Sequence, residues 1–464
     1  MWWLLRTMCF VHTIGNIFCF LEAKPKNPET NMNSEIISHW GYEREEHEVL
    51  TEDGYLLLIF RIPRGRNEKK GSSNTTKPVV YLQHGFTVSA DYWVLNPPSN
   101  CPAFLLADAG FDVWLGNSRG TNNGRKHVSL DPNSKEFWAF SFDEQIAYDI
   151  PATIDFILNK TRQTQLYYIG HSQGVYIAYG AFATNPQLAQ KIKMNFALGP
   201  VVLTKHLRGV FRTVAYIDPL VIKSLFGEKD IFSRSNDNPI LQFLCHREKI
   251  ATACNNLLTV IFGYNPKNLN ESRLDVYIGH IPAGTSIQSI LHFSQGIRSG
   301  LFQKYDWGSD SLNMQHYNQS TPPIYKIENM KVRTAMWSGG QDLLGDPIDT
   351  ENLAAKTPNL VYHKKIPDYD HLDFIVGKDV TIQVYQKTGK DRYTGITQYK
   401  STRNMACQDY TCTQELGSAA TAFCAPSLLG DICSAFSPVI RGEANISPAT
   451  EKAFAARNVE NIQV

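Results

Sequence analysis

The chain has 464 residues, enough for a large core, and its 45 Lys and Arg nearly cancel its 44 Asp and Glu. Only 19% of residues are charged and 43% are hydrophobic, which excludes a self-repelling disordered chain and the basic surplus that phosphate binding demands. No nucleic-acid partner is expected. Nine cysteines are too few for a disulfide scaffold, and their odd number leaves at least one unpaired within a monomer.

In chain order, residues 1–23 read as a secretory signal peptide. Arg6 precedes a mostly apolar run over residues 8–21, interrupted by His12, Gly15 and Asn16, that falls short of the roughly 20 residues a spanning helix needs. No later stretch is apolar enough, so no transmembrane span is expected. Five Asn-x-Ser/Thr triplets, at Asn74, Asn159, Asn270, Asn318 and Asn445, fit export as glycosylation sites.

Residues 47–62 form two β-rich runs split by Asp53-Gly54, a hairpin signal. Strands are predicted at 79–82, 111–115, 166–169 and 194–198, with helices at 104–109 and 175–184. A long helical region over 134–160 is broken around Pro151. Late in the chain, strands at 332–337 and 360–363 flank a helix at 350–356. Strands alternating with helices imply a mostly parallel sheet with helices on both faces. Residues 203–320 break that rhythm and read as a largely helical cap inserted between two parts of one core, 24–202 and 321–388. Within it Cys245 and Cys254 lie close enough to close a small loop if oxidised. Residues 389–464 turn rich in Ser, Thr, Ala and Asn, with cysteines at 407, 412, 424 and 433, and read as a weakly ordered tail. No Cys-x-x-Cys pair or companion histidine accompanies those cysteines, so no metal is expected there.

Two segments match G-x-S-x-G: Gly116-Asn117-Ser118-Arg119-Gly120 and Gly170-His171-Ser172-Gln173-Gly174. A nucleophilic serine needs a strand-to-helix turn so sharp that its Oγ stands clear of the sheet. After Gly174 the chain continues as an apolar helix rich in small residues; after Gly120 comes the polar Thr121-Asn122-Asn123-Gly124. Ser172 is therefore the predicted nucleophile and Ser118 a structural loop residue. Serine needs a base oriented by a carboxylate, and in α/β-hydrolases the order along the chain is serine, acid, histidine. Asp342 lies just past the strand at 332–337 and is the candidate acid; Asp346 and Asp349 compete from deeper in the following turn and helix. His371 occupies the loop after the last strand, whereas His363 falls inside it. The oxyanion hole takes two backbone N–H groups, one from Gln173 and one from Phe86 in the loop after the strand at 79–82. His84 and Gly85 shape that loop, or His84 is a buried hydrogen-bonding core residue.

Gln83-His84-Gly85, the run 107–120, Phe137-Trp138-Ala139-Phe140-Ser141, Gly170 to Gly174, Pro282-Ala283-Gly284-Thr285-Ser286, Tyr305-Asp306-Trp307-Gly308 and His371-Leu372-Asp373-Phe374 together resemble the acid lipase family, which contains the gastric and lysosomal acid lipases. The resemblance covers about residues 35–385. It implies an α/β-hydrolase fold with a cap and lid, a Ser172–His371–Asp342 triad, Phe86 and Gln173 as oxyanion donors, and a disulfide between Cys245 and Cys254. It further implies hydrolysis of neutral lipid esters such as triacylglycerols or sterol esters, at a lipid–water interface, without metal or organic cofactor, in a secreted or lysosomal protein. Phe86 stands where relatives usually carry leucine, and beyond about residue 385 no counterpart is found. Two other readings follow from those departures: an inactive lipid-binding protein, or an esterase or thioesterase for small soluble esters.

Overall fold

The structure is a computed structural model that describes residue 29 and residues 35–68, 76–232, 263, 265 and 267–385. The expected signal peptide, the tail, Cys245, Cys254, Asn74 and Asn445 lie outside the described residues. Along the chain the strands are β1 (Glu45–Leu50), β2 (Tyr55–Ile62), β3 (Val79–Gln83), β4 (Asp112–Leu115), β5 (Lys126–His127), β6 (Leu166–His171), β7 (Ile192–Leu198), β8 (Asp230–Ile231), β9 (Thr285–Ser286), β10 (Thr334–Gly339) and β11 (Leu360–Ile366). Among the described residues, nine of them form one sheet in the order β1-β2-β4-β3-β6-β7-β10-β11, with β5 on β2.

The hairpin forms as the sequence predicts. Gly54, at φ 96°, turns the chain, and β1 pairs antiparallel with β2 in a register that sets Glu48 opposite Leu58. β1 carries Glu45, Glu46 and Glu48 at the sheet's edge, a charge pattern that discourages pairing with another chain. Along the main sheet, in the order β4-β3-β6-β7-β10-β11, every pairing is parallel. Parallel strands covered on both faces must be apolar on both, and accordingly β3 and β4 are buried at every position. Trp114 and Tyr168 are fully buried in one continuous core with Trp138, Tyr179 and Ile154.

Around 134–160 the structure departs from the expectation. Ser141 opens a short helical turn with a capping box, its own N–H bonded to Glu144 Oε2 at 2.6 Å, and the chain passes through a π-helical turn at Gln145–Asp149 into the helix Ile150–Thr161. The irregularity lies before Pro151, not at it. A proline lacks the N–H that would bond four residues back and crowds that carbonyl, and a widened turn absorbs both effects.

Between β7 and β10 the described chain forms helices at Val210–Ala215, Pro219–Phe226, Leu274–His280, Ile287–Ser299 and Asp310–Tyr317, and a two-stranded ribbon of β8 with β9. In the main sheet the strand after β3 in sequence, β4, lies on one side of it, and β6 lies on the other. That reversal of direction opens a crevice at the carboxyl ends of β3 and β6, where ligands bind in open α/β sheets.

Candidate active site

β6 ends at His171, and the helix Gln173–Thr184 begins two residues later. Ser172 alone makes the turn, at φ 55° and ψ −116°, a conformation that side-chain-bearing residues adopt rarely and that concentrates at functional sites. The flanking glycines are required by crowding. A Cβ on Gly170 would lie 2.8 Å from the Gly174 backbone, and one on Gly174 only 2.3 Å from the Gln83 carbonyl. Gly174 thereby lets the helix start against the end of β3, which brings the loop after β3 beside the serine. A Cβ on Gly85 would sit 3.1 Å from Ser172 Cβ.

Asp342 and His371 come from the two loops that follow β10 and β11. These loops are bonded to each other: Gly340 N donates to Ile366 O at 2.8 Å and Gln341 N to Tyr369 O at 2.9 Å. Asp342 is completely buried. Its Oδ1 accepts the Leu344 and Gly345 N–H groups, each at 2.8 Å, and its Oδ2 accepts His371 Nδ1 at 2.9 Å. A carboxylate only accepts, so the ring proton sits on Nδ1 and Nε2 keeps the lone pair that a general base needs. The competing acids are engaged elsewhere. Asp346 caps the helix Pro347–Lys356 and binds Arg208, and Asp349 binds His206. His363 bonds Ser338 Oγ at 2.8 Å within the sheet.

Ser172, His371, Phe86 and Gln173 line one cavity, which holds about 640 Å³ including its open mouth. The rest of its wall is mostly apolar and includes Tyr92, Phe142, Tyr176, Val201 and Leu344, with Phe211, Ile281 and Phe293 contributed by the stretch between β7 and β10. The Phe86 ring leans edge-on against Phe142, with centroids 5.4 Å apart, and lies tilted against Phe293 at 5.5 Å. Gln173 is held by its side chain, which donates to Gln145 Oε1, so the π-helical turn serves the elbow as well as the core.

Ser118 has a different setting. Its Oγ accepts Gln83 Nε2 at 2.9 Å, and its N–H donates to His84 Nε2 at 3.0 Å. His84 Nδ1 then carries the proton and donates to the Gly85 carbonyl at 2.8 Å. Burial drops the His84 pKa to about 4, so the ring is neutral and both its nitrogens are used. His84 is thus a buried hydrogen-bonding residue that ties the loop after β3 to the loop after β4. Next to Ser118, Arg119 is buried and paired with Asp53 and Asp149.

Three residues around the base were not singled out by sequence reasoning. His171 donates from Nε2 to the carbonyl of His371 at 3.0 Å, and burial and the neighbouring His371 hold its pKa well below the usual value. A neutral His171 therefore anchors the backbone of the base without adding positive charge. Asp370 and Asp373 bracket His371. Burial and the nearby Asp370 push Asp373 up to about 8, while N–H groups of Asp370, Asn265 and Asn268 pull it back. All three sit inside motifs that the sequence displays, but only the folded chain assigns their partners. Of the sequons within the described residues, Asn159 and Asn318 are exposed and Asn270 is half-buried.

Comparison with known proteins identifies the family. A family model described as "Partial alpha/beta-hydrolase lipase region" matches residues 33–97, and one described as "alpha/beta hydrolase fold" matches residues 78–378. The chain is 54% identical to the tear acid lipase-like protein of Mesocricetus auratus, over 81% of this chain and 94% of that one. It is 50% identical to gastric triacylglycerol lipase of Bos taurus, over 83% and 98% of the two chains. It is also 50% identical to lysosomal acid lipase/cholesteryl ester hydrolase of Macaca fascicularis, over 78% and 90%. The chain belongs to the acid lipase family of α/β hydrolases and is an ester-hydrolysing enzyme.

Proposed function

We propose that the chain is a serine lipase that hydrolyses neutral lipid esters, triacylglycerols or sterol esters, through an acyl-enzyme on Ser172. The names of the relatives from Bos taurus and Macaca fascicularis carry those two substrate classes. The observation that carries the mechanism is the strained Ser172 elbow opening into an apolar cavity shared with His371, whose Nδ1 is bonded to Asp342. Ser172 Oγ attacks the ester carbonyl carbon as His371 Nε2 takes its proton. Asp342 holds the imidazole and stabilises the imidazolium. The N–H groups of Phe86 and Gln173 stabilise the negative charge that develops on the carbonyl oxygen. When the tetrahedral species collapses, the C–O bond to the alcohol breaks and His371 protonates the leaving alkoxide. Water, deprotonated by His371, then attacks the acyl carbon, and the fatty acid leaves as Ser172 regains its proton.

Residues 203–320 serve as a cap in this reading, since Phe211, Ile281 and Phe293 close one side of the cavity. An exposed apolar stretch supports work at a lipid–water interface. Leu220 is 75% exposed and Leu225 70%, and Tyr216 and Phe226 are also exposed on the same stretch, a grouping of large apolar side chains that a soluble surface seldom carries without a partner. No helix among the described residues is long and apolar enough to cross a membrane. The protein is proposed to enter the secretory pathway, destined for secretion or the lysosome, with glycans at the five sequons and a disulfide between Cys245 and Cys254.

The test is covalent labelling of the full-length secreted chain with a fluorophosphonate probe and peptide mapping, together with hydrolysis of emulsified triolein and cholesteryl oleate. Labelling at Ser172 and fatty-acid release from either emulsion are expected. A folded protein that fails to label, or labels at another serine, overturns the reading.

A further inference from the structure

The loop that carries His371 is closed by a reciprocal pair of bonds. Asp370 N donates to Asp373 Oδ2 at 2.7 Å, and Asp373 N donates back to Asp370 Oδ1 at 3.1 Å. The two carboxyl groups bracket the histidine with the spacing and reciprocity of a capping box, just ahead of the short helix Asp373–Val376, whose N-cap is Leu372. The box engages one Asp373 oxygen only. The side chain is nevertheless buried, with the residue 2% exposed, and a buried carboxyl oxygen without a partner is costly.

The missing donor and a second one to the engaged oxygen come from the stretch between β7 and β10. Asn265 Nδ2 reaches Asp373 Oδ2 and Asn268 Nδ2 reaches Oδ1, each at 2.8 Å. The same short segment touches the acid loop as well. Gly263 forms a β-bridge with Asp342, and Leu269 forms one with Gly377. Lys378 N donates to the Asn268 carbonyl at 2.8 Å. Gly263 fits against the loops so closely that a Cβ would lie 2.5 Å from Asp370 Cβ and 2.7 Å from the Gln341 carbonyl. Both loops of the dyad thus lean on one segment that takes no part in the chemistry.

We propose that Asp373 is a positioning residue for His371, held in place by Asn265 and Asn268, so that a segment within the insertion sets the geometry of the base. The proposal rests on the serine-lipase reading above. Its physical reason is steep distance dependence: a misplacement of about 1 Å costs an enzyme about 10²-fold in rate. The amide donors fix the carboxyl group, the carboxyl group fixes Asp370 N, and His371 is the next residue.

The test uses the full-length chain, its Asp373→Ala and Asp373→Asn variants, and the double variant Asn265→Ala/Asn268→Ala. Each is assayed on soluble p-nitrophenyl butyrate, with rates divided by the number of sites that a fluorophosphonate titrates. A merely structural role lowers the titrated fraction and the melting temperature but leaves the rate per titrated site unchanged. Positioning lowers kcat per site by about 10-fold in the double variant and about 10²-fold in Asp373→Ala, with KM within about 2-fold. Asp373→Asn, whose amide oxygen still accepts one bond, recovers part of the loss. A double variant that turns over at the wild-type rate per site overturns the proposal, and it decides the matter even where Asp373→Ala does not fold. Wild-type protein that does not label at Ser172 overturns the serine-lipase reading itself, and the proposal with it.

Discussion

The two G-x-S-x-G turns follow neighbouring strands on either side of β3, and both serines are buried. Ser172 holds a left-handed backbone, and the helix Gln173–Thr184 starts at once behind it. Ser118 has no such backbone. Its hydroxyl and N–H are both committed to β3 and the loop behind it, through Gln83 and His84. The same five-residue pattern therefore serves two purposes. One copy aims a hydroxyl into a cavity, and the other bonds two loops together so that the cavity's wall stays in place. A motif of this kind names a turn, and the partners of the serine decide whether the turn is a nucleophile elbow.

The sharpest way to break this comparison is to remove the two hydroxyls in turn. Ser172→Ala should lower kcat on soluble and emulsified esters by about 10⁵-fold or more, since a triad without its nucleophile retains only what the oxyanion hole and binding supply. Active-site titration alongside the rate measurement guards against trace wild-type protein. Asp342→Asn should cost about 10⁴-fold in kcat with little change in KM, because the amide can present an N–H to Nδ1 and force the wrong tautomer on His371.

A smaller effect concerns the wiring around Ser118. His84 titrates at about 4 in the folded protein because of burial, against about 6.5 for a free histidine. Between those values the unfolded chain binds a proton that the folded one refuses, so stability falls as pH drops through the window, by about 3 kcal/mol once pH is below both. Buried Asp373 works in the opposite direction, since its raised pKa lets the folded state take up a proton first as pH falls from about 8. Chemical denaturation across pH 4 to 7 should therefore show a shallower loss for His84→Asn than for wild type. An unchanged slope would remove His84 from the account. Smallest of all, Ser118→Ala should leave kcat within about 3-fold of wild type and cost about 1–3 kcal/mol of stability, the consequence of stranding the buried Gln83 amide. A collapse of activity at intact stability would mean that Ser118 belongs to the chemistry.

Much of this was legible before any coordinates. Strand and helix alternation gave the parallel sheet because period and punctuation are local properties, and Gly54, Gly170 and Gly174 marked turns that other residues cannot make. Chain order and loop position pointed to Asp342 and His371 over Asp346, Asp349 and His363. The relationship of His171, Asp370 and Asp373 to the base was not legible, although each adjoins a residue that was named. Their partners lie up to 200 positions away in the chain, and no local pattern encodes such a distance. The π-helical turn before Pro151 escaped for a related reason. A proline marks that a helix must adjust, and packing against the elbow through Gln145 and Gln173 accompanies the place where it does.

The sequence by itself determined the class of fold, the serine that makes the elbow, and the residues able to serve as acid and base, because these depend on residue type, spacing and order. Only the tertiary structure decided which contacts hold them. Loops that end different strands meet, and glycines at 174 and 340 let backbones approach to distances that no side chain permits. The arrangement of Ser172, Asp342 and His371 is set by those close approaches and by buried hydrogen bonds across them, and both arise only when the sheet has assembled.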